Sequence, residues 1–248
     1  MTSESIAAAA ATWNERYSGE DYVFGREPNE YLRAQAALFA PGSRALCVAD
    51  GEGRNSVWLA HQGLHVEAFD VAQAGVAKAR RLADEARVSV AYHVAGCDEW
   101  PWAVDAYDLV VAVFVQFADP EMRERLFANI VRALKPGGLL VLQGYTPKQL
   151  EYKTGGPGAL SHLYTADLLR RAFASSRAET ARSGKAIPGS SPARSRVWSA
   201  NRRQAPWSTF ATTMMPSLRP LRTNQPGSTF EYTRIASSSL ECTCRLRS

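Results

Sequence analysis

The chain has no apolar run long enough to span a bilayer. Its start, MTSESIAAAAATW, lacks the basic stretch and the apolar core of a secretion signal. A cytoplasmic protein with no membrane partner is expected. Cysteine is scarce. Cys47, Cys97, Cys242 and Cys244 form no CxxC pair and match no histidine spacing, so neither a disulfide framework nor a metal site is indicated. Internal repeats are absent as well. Residues 175–248 hold only 9 Ile, Leu, Val and Phe among 74 residues, too few for a core segment, and serine, arginine and proline take over.

What the chain does have is 46% hydrophobic residues in 248, enough to bury a core. The net charge of +5 is unevenly placed. Residues 175–248 carry 12 Lys+Arg against 3 Asp+Glu, whereas residues 1–174 carry 17 against 21. The folded part is therefore mildly acidic, which argues against nucleic acid as its partner.

Between residues 42 and 174 short apolar runs alternate with amphipathic stretches, the pattern of a mostly parallel sheet with helices on both faces. RALCVA (44–49), HVEAFD (65–70), VSVAYHV (88–94), DLVVAVFVQF (108–117) and LLVLQG (139–144) read as strands. The fourth is so continuously apolar that both its faces must be covered, which makes it central. Helices follow from Arg54 to Gln62, from Ala72 with Val76, Ala79 and Ala83 inward and Lys78 directed elsewhere, and from Asp119 as cap and Pro120 as first residue. LKPGG (134–138) stops the last of these. A helix starting near Pro28 and a short one at Thr165 to Phe173 flank this core. The expected organisation is an aromatic and helical cover at 1–41, a doubly wound α/β domain at 42–174, and a basic tail at 175–248.

The loop VADGEGRN lies between the first strand and its helix. Gly51 and Gly53 let backbone approach a ligand, and Asp70 follows Gly51 by 19 residues, at the end of the second strand. An acid there can accept both hydroxyls of a ribose. Glycine loops at helix starts usually hold phosphate. Here Asp50 and Glu52 would repel it, and the loop suits a cation such as an ammonium or a sulfonium.

VADGEGRN, Asp70 and LKPGG in this order resemble a class I S-adenosylmethionine-dependent methyltransferase. WNERYSGEDYVFGREPNEYL, YTPKQL, TGGP and LYTADLLRRAF resemble the bacterial group related to tellurite-resistance and thiopurine methyltransferases. The resemblance implies a Rossmann-like sheet, S-adenosyl-L-methionine as cofactor and a small-molecule methyl acceptor, with a thiol, selenium or tellurium nucleophile as one possibility. It implies that Asp50, Gly51, Glu52, Gly53 and Asp70 line the cofactor. Ala49 stands where the superfamily often places an acid, and Asp50 lies one step later. Asp98 would bond the adenine amino group, Cys97 would flank the ring, and Val115 and Gln116 would lie near the transferred methyl. A class I sheet ends in two further strands, the last antiparallel. None is read after residue 175, so these strands are expected to be missing or replaced, by a disordered tail or by a shifted reading frame.

Tyr17, Tyr22 and Phe24 can close over a sulfonium, and Arg26 can attract an anionic substrate. Of the four histidines only His162 lies in a cover segment, which makes it the catalytic candidate. Two rivals stand beside a methyltransferase: a nicotinamide-dependent oxidoreductase, and a nucleic-acid binder using the basic tail.

Overall fold

The computed structural model describes residues 3–153, 155–173, 230–235 and 239–245. Five parallel strands form first: β1 (Arg44–Val48), β2 (His65–Asp70), β3 (Val90–Val94), β4 (Tyr107–Val113) and β5 (Leu134–Tyr145). Helices α3 (Arg54–His61), α4 (Gln73–Ala86) and α5 (Pro120–Ala133) connect them, after α1 (Ser3–Arg16) and α2 (Glu30–Ala34). A short α6 (Gln149–Tyr152) follows β5, and residues 166–173 form a further helix, α7.

The sheet has seven strands in the order β3-β2-β1-β4-β5-β7-β6. Strands β6 (Phe230–Ile235) and β7 (Ser239–Arg245) correct the expectation that the terminal strands are missing. β7 runs antiparallel between β5 and β6, with Val141 opposite Thr243 and Leu142 opposite Cys242. The reason is visible in SLECTCR, where Leu240, Cys242 and Cys244 alternate with polar residues at the strand period of two. Composition averaged over 74 residues dilutes a hairpin of sixteen, and counting only Ile, Leu, Val and Phe omits cysteine. The expectation of a disordered or frame-shifted tail at 175–248 otherwise falls on 175–229, 236–238 and 246–248, outside the described residues.

Two cores flank the sheet. On one face Leu46, Val48, Val110, Ala112, Leu140 and Leu142 pack with α5, α7, Cys242 and Cys244. On the other, Ala45, Cys47, Leu109, Val111 and Val141 pack with Leu59, Tyr31 and Leu32. Successive residues of β1 and β4 serve opposite cores, the alternation that a doubly covered strand requires.

β4 ends at Val113, four residues before the end of the apolar run that marks it. Phe114 turns the chain with φ +58°, while Val115 and Ala118 still reach the core. An apolar run records burial, and burial here outlasts the strand. At α5 Asp119 accepts the Met122 amide at 2.8 Å and Pro120 opens the helix, as expected. β5 begins at Leu134 directly after α5, so LKPGG is taken into the strand.

Candidate functional site

β1 is flanked by β2 on one side and β4 on the other, so the chain leaves β1 and β4 in diverging directions. In such sheets the crevice beyond the carboxyl ends of these strands is the ligand position. Backbone strain collects there: Ala49 after β1 has φ +50° and Phe114 after β4 has φ +58°, the left-handed region that side chains avoid.

Asp70 is 7% exposed at the end of β2. Its Oδ2 accepts the Gly51 amide at 2.9 Å and its Oδ1 accepts the Ala72 amide at 2.8 Å. Burial raises its pKa and these amide hydrogen bonds oppose the rise. A carboxylate has about four lone-pair sites, so Asp70 keeps capacity for a further donor.

Asp50 is partly buried, with Ser56 Oγ donating to its Oδ2 at 2.5 Å. The Ser56 hydroxyl lies 2.8 Å from the Tyr92 phenol. Burial pushes the Asp50 carboxyl up to about 7; the Ser56 hydrogen bond pulls against this and the Asp70 charge adds to it. Two neighbouring carboxyls, both raised, make a loop that disfavours added negative charge.

Glu52 faces away from any ligand role. Its Oε1 lies 2.6 Å from Lys78 Nζ, both side chains 3% exposed, and its Oε2 accepts the Val23 amide at 2.8 Å. Lys78, expected to point away from the buried face of α4, is sealed under the cover, where its Nζ also donates to the Asp21 carbonyl at 2.5 Å. The sequence signal for this pair was a lysine one position from Ala79 on the inward face.

The two glycines have different duties. A Cβ on Gly51 would come 2.8 Å from the Tyr17 hydroxyl, over the loop. One on Gly53 would come 2.7 Å from Ala79 Cβ and 2.9 Å from the Tyr92 hydroxyl, so Gly53 serves the packing of α3 on α4. Both have positive φ, +62° and +89°.

Of the cover residues, Tyr17 reaches the site. It is 5% exposed, stacks on Trp13 at 5.3 Å, and has its pKa raised first by burial and then by Asp70. Phe24 is exposed and takes Arg16 and Arg54 on its ring at 5.2 and 5.8 Å. Tyr22 and Arg26 sit on the outer side of α4: Tyr22 donates to the Lys78 carbonyl at 3.1 Å, and Arg26 pairs with Glu85.

Beyond β3, Asp98 is held by Arg125 Nη2 at 3.0 Å and Nε at 3.3 Å, which lowers its pKa. Cys97 is buried, its thiol pushed up by desolvation, and its carbonyl accepts the Trp102 indole N–H at 2.8 Å. Val115, expected near the transferred methyl, is fully buried in the core, because the turn at Phe114 sends it inward.

Gln116 is likewise spent on the protein. Its Nε2 donates to the carbonyls of Tyr145 and His162, both at 2.9 Å, and its Oε1 accepts the Tyr145 amide. It pins the end of β5 to the segment before α7. His162 Nδ1 lies 2.8 Å from the Gln116 carbonyl, half-buried. Phe114 stacks on Tyr145 at 4.6 Å, an aromatic pair at the ends of β4 and β5 that the sequence reading missed. Its one signal is an apolar run too long for its strand. Among the described residues no cluster of three or more metal-ligating side chains occurs, and no helix is long and apolar enough to cross a membrane.

Residues 45–138 match the family model described as methyltransferase domain. The matched stretch takes in the glycine loop, Asp70 and strands β2 to β4 of the Rossmann-like sheet. The chain is 31% identical over 111 residues to tRNA N(3)-methylcytidine methyltransferase Mettl2 of Drosophila melanogaster, covering 38% of this chain and 34% of that one. It is 28% identical over 127 residues to carboxy-S-adenosyl-L-methionine synthase of Aeromonas salmonicida, covering 51% and 50%. Phosphoethanolamine N-methyltransferase 2 of Haemonchus contortus, solved with S-adenosyl-L-methionine, shares the fold at a TM-score of 0.51 and 23% identity, covering 66% of this chain and 40% of that one. The chain thus spans a third to about half the length of these relatives.

Proposed function

We propose that the chain binds S-adenosyl-L-methionine beyond the carboxyl ends of β1, β2 and β4 and transfers its methyl group to a small-molecule nucleophile. The observation that carries this reading is the Asp70 carboxylate, oriented by two backbone amides at 2.8 and 2.9 Å beside a loop that carries a second raised carboxyl. Fixed in this way, Asp70 accepts two vicinal sugar hydroxyls at little cost in reorganisation. Asp50 favours a cationic group nearby, and a pyrophosphate would meet both acids. That difference sets a sulfonium cofactor above a nicotinamide dinucleotide.

The cofactor supplies a methyl group already activated on sulfur, so alignment and water exclusion remain for the protein. Tyr17 over Gly51 closes the loop side. The Phe114 and Tyr145 rings offer an aromatic surface where positive charge is favoured. The motif resemblance names thiol, selenium and tellurium centres as one acceptor class, whereas the geometry around His162 favours a neutral hydroxyl or amine.

Calorimetric titration tests the cofactor. The protein should bind S-adenosyl-L-methionine and not NAD. Asp70→Ala should weaken binding by roughly tenfold or more, from the loss of charged hydrogen bonds of about 1.5 to 3 kcal/mol each. A folded Asp70→Ala variant with unchanged affinity would overturn the assignment.

A further inference from the structure

We infer that His162 is the proton acceptor of the reaction and that the methyl acceptor is therefore a neutral hydroxyl or amine. The inference rests on the methyltransferase reading above. A backbone carbonyl can only accept, so the contact of His162 Nδ1 with the Gln116 carbonyl at 2.8 Å requires the proton on Nδ1. The lone pair is then on Nε2, and the ring's described hydrogen bond is made through Nδ1. The ring is half-buried in the segment between α6 and α7, not on a free surface.

The segment that carries the ring is held from several sides. Gln116 Nε2 donates to the His162 carbonyl, and the same amide group holds both the N–H and the carbonyl of Tyr145. His162 is thereby tied to the third residue after β4 and to the last residue of β5. Phe114 and Tyr145, stacked at 4.6 Å, occupy those two strand ends. The charged group facing this segment is Arg123 of α5, 8% exposed, whose Nη1 donates to the Ser161 carbonyl at 2.7 Å. Thr146 follows Tyr145 with a buried hydroxyl that lacks a partner. Tyr164, fully buried two residues after His162, also has an unpartnered hydroxyl.

An imidazole held in one tautomer at the strand ends serves a nucleophile that must shed a proton. A thiolate or a tellurium oxyanion sheds none and needs no such group. In the step, the acceptor's electron pair forms the bond to the methyl carbon, and its proton passes to Nε2. The carbon–sulfur electron pair stays on sulfur, and the imidazolium returns its proton to water.

The test uses the full chain, labelled S-adenosyl-L-methionine, and a panel of phenols, alcohols, primary amines, thiols, selenite and tellurite. Transfer to a hydroxyl or amine acceptor is expected. His162→Gln should slow it by roughly 100-fold or more, abolish the rise of kcat with pH, and leave the calorimetric affinity for S-adenosyl-L-methionine within about twofold. Nitrogen chemical shifts of the His162 ring should show the proton on Nδ1. Methylation confined to thiols, selenite or tellurite, no transfer to any hydroxyl or amine, or an unchanged pH profile in His162→Gln would each overturn the inference. Loss of cofactor binding by the unsubstituted protein would instead defeat the methyltransferase reading itself.

Discussion

The two segments that flank the crevice are fastened by different chemistry. The amino-terminal cover, from Tyr17 to Arg26, is held mainly by charge: the buried Lys78 and Glu52 pair beneath Asp21, Tyr22 and Val23, the Arg26 and Glu85 pair outside, and Arg54 on the Phe24 carbonyl. The segment after β5 is held mainly by neutral amides, Gln116 on Tyr145 and His162 and Gln149 on the Pro157 carbonyl, with Arg123 on the Ser161 carbonyl as a charged tie. Charge in a dry setting is strong when paired and costly when half-removed. An amide latch is weaker but indifferent to pH, and suits a segment that must present an imidazole in one orientation.

Substitutions can break this contrast. Lys78→Met leaves Glu52 buried without its cation and should cost about 3 to 5 kcal/mol in urea unfolding. The double variant Lys78→Met with Glu52→Gln should recover much of that loss. A double variant as unstable as the single one would show that the pair matters through packing alone. Gln116→Ala strands the Tyr145 amide and the His162 carbonyl, while the Tyr145 carbonyl keeps the Tyr164 amide, and should cost about 1 to 3 kcal/mol. Its distinguishing mark is faster hydrogen exchange at the Tyr145 amide, a change Lys78→Met should not produce.

A pH comparison sharpens the picture on the glycine loop. Asp50 titrates at about 7 in the folded chain against an ordinary value of 3.8, so between these the folded state holds the extra proton. Its contribution to stability is complete below about 4 and is lost as pH rises through about 7. Asp50→Asn should flatten that decline in urea midpoints measured from pH 4 to 8. Smallest of all, Arg26→Ala removes a pair whose partners are each 52% exposed and should change stability by about 0.5 kcal/mol or less. An effect as large as that of Lys78→Met would mean that the outer pair, and not the buried one, holds the cover.

The order of β1 to β5, the helices between them and the position of Asp70 were legible because each rests on a local pattern: a run of apolar residues, a cap, a glycine. Gln116 and Val115 were read as neighbours of the transferred methyl because sequence places them after β4. The left-handed turn at Phe114, which sends both side chains into the protein, leaves no mark in composition. Glu52 showed the same limit. A carboxylate in a glycine loop can face a ligand or a lysine, and only the packing of α4 under the cover decides. The terminal hairpin escaped because its alternation is carried by Cys242 and Cys244, small side chains that rarely define a strand by themselves.

The placement of β7 between β5 and β6 bears on how the molecule is made. While the chain grows from the ribosome, β5 is finished at residue 145 but its outer edge stays open until residue 239 and those after it have emerged. Tyr31 of α2 must wait equally long for its buried hydrogen bond to Thr243, a partner 212 residues away. Contacts of such span form late and slowly. For that interval the nascent domain presents an unpaired, apolar strand edge, and this is the stage at which a chaperone would be most needed.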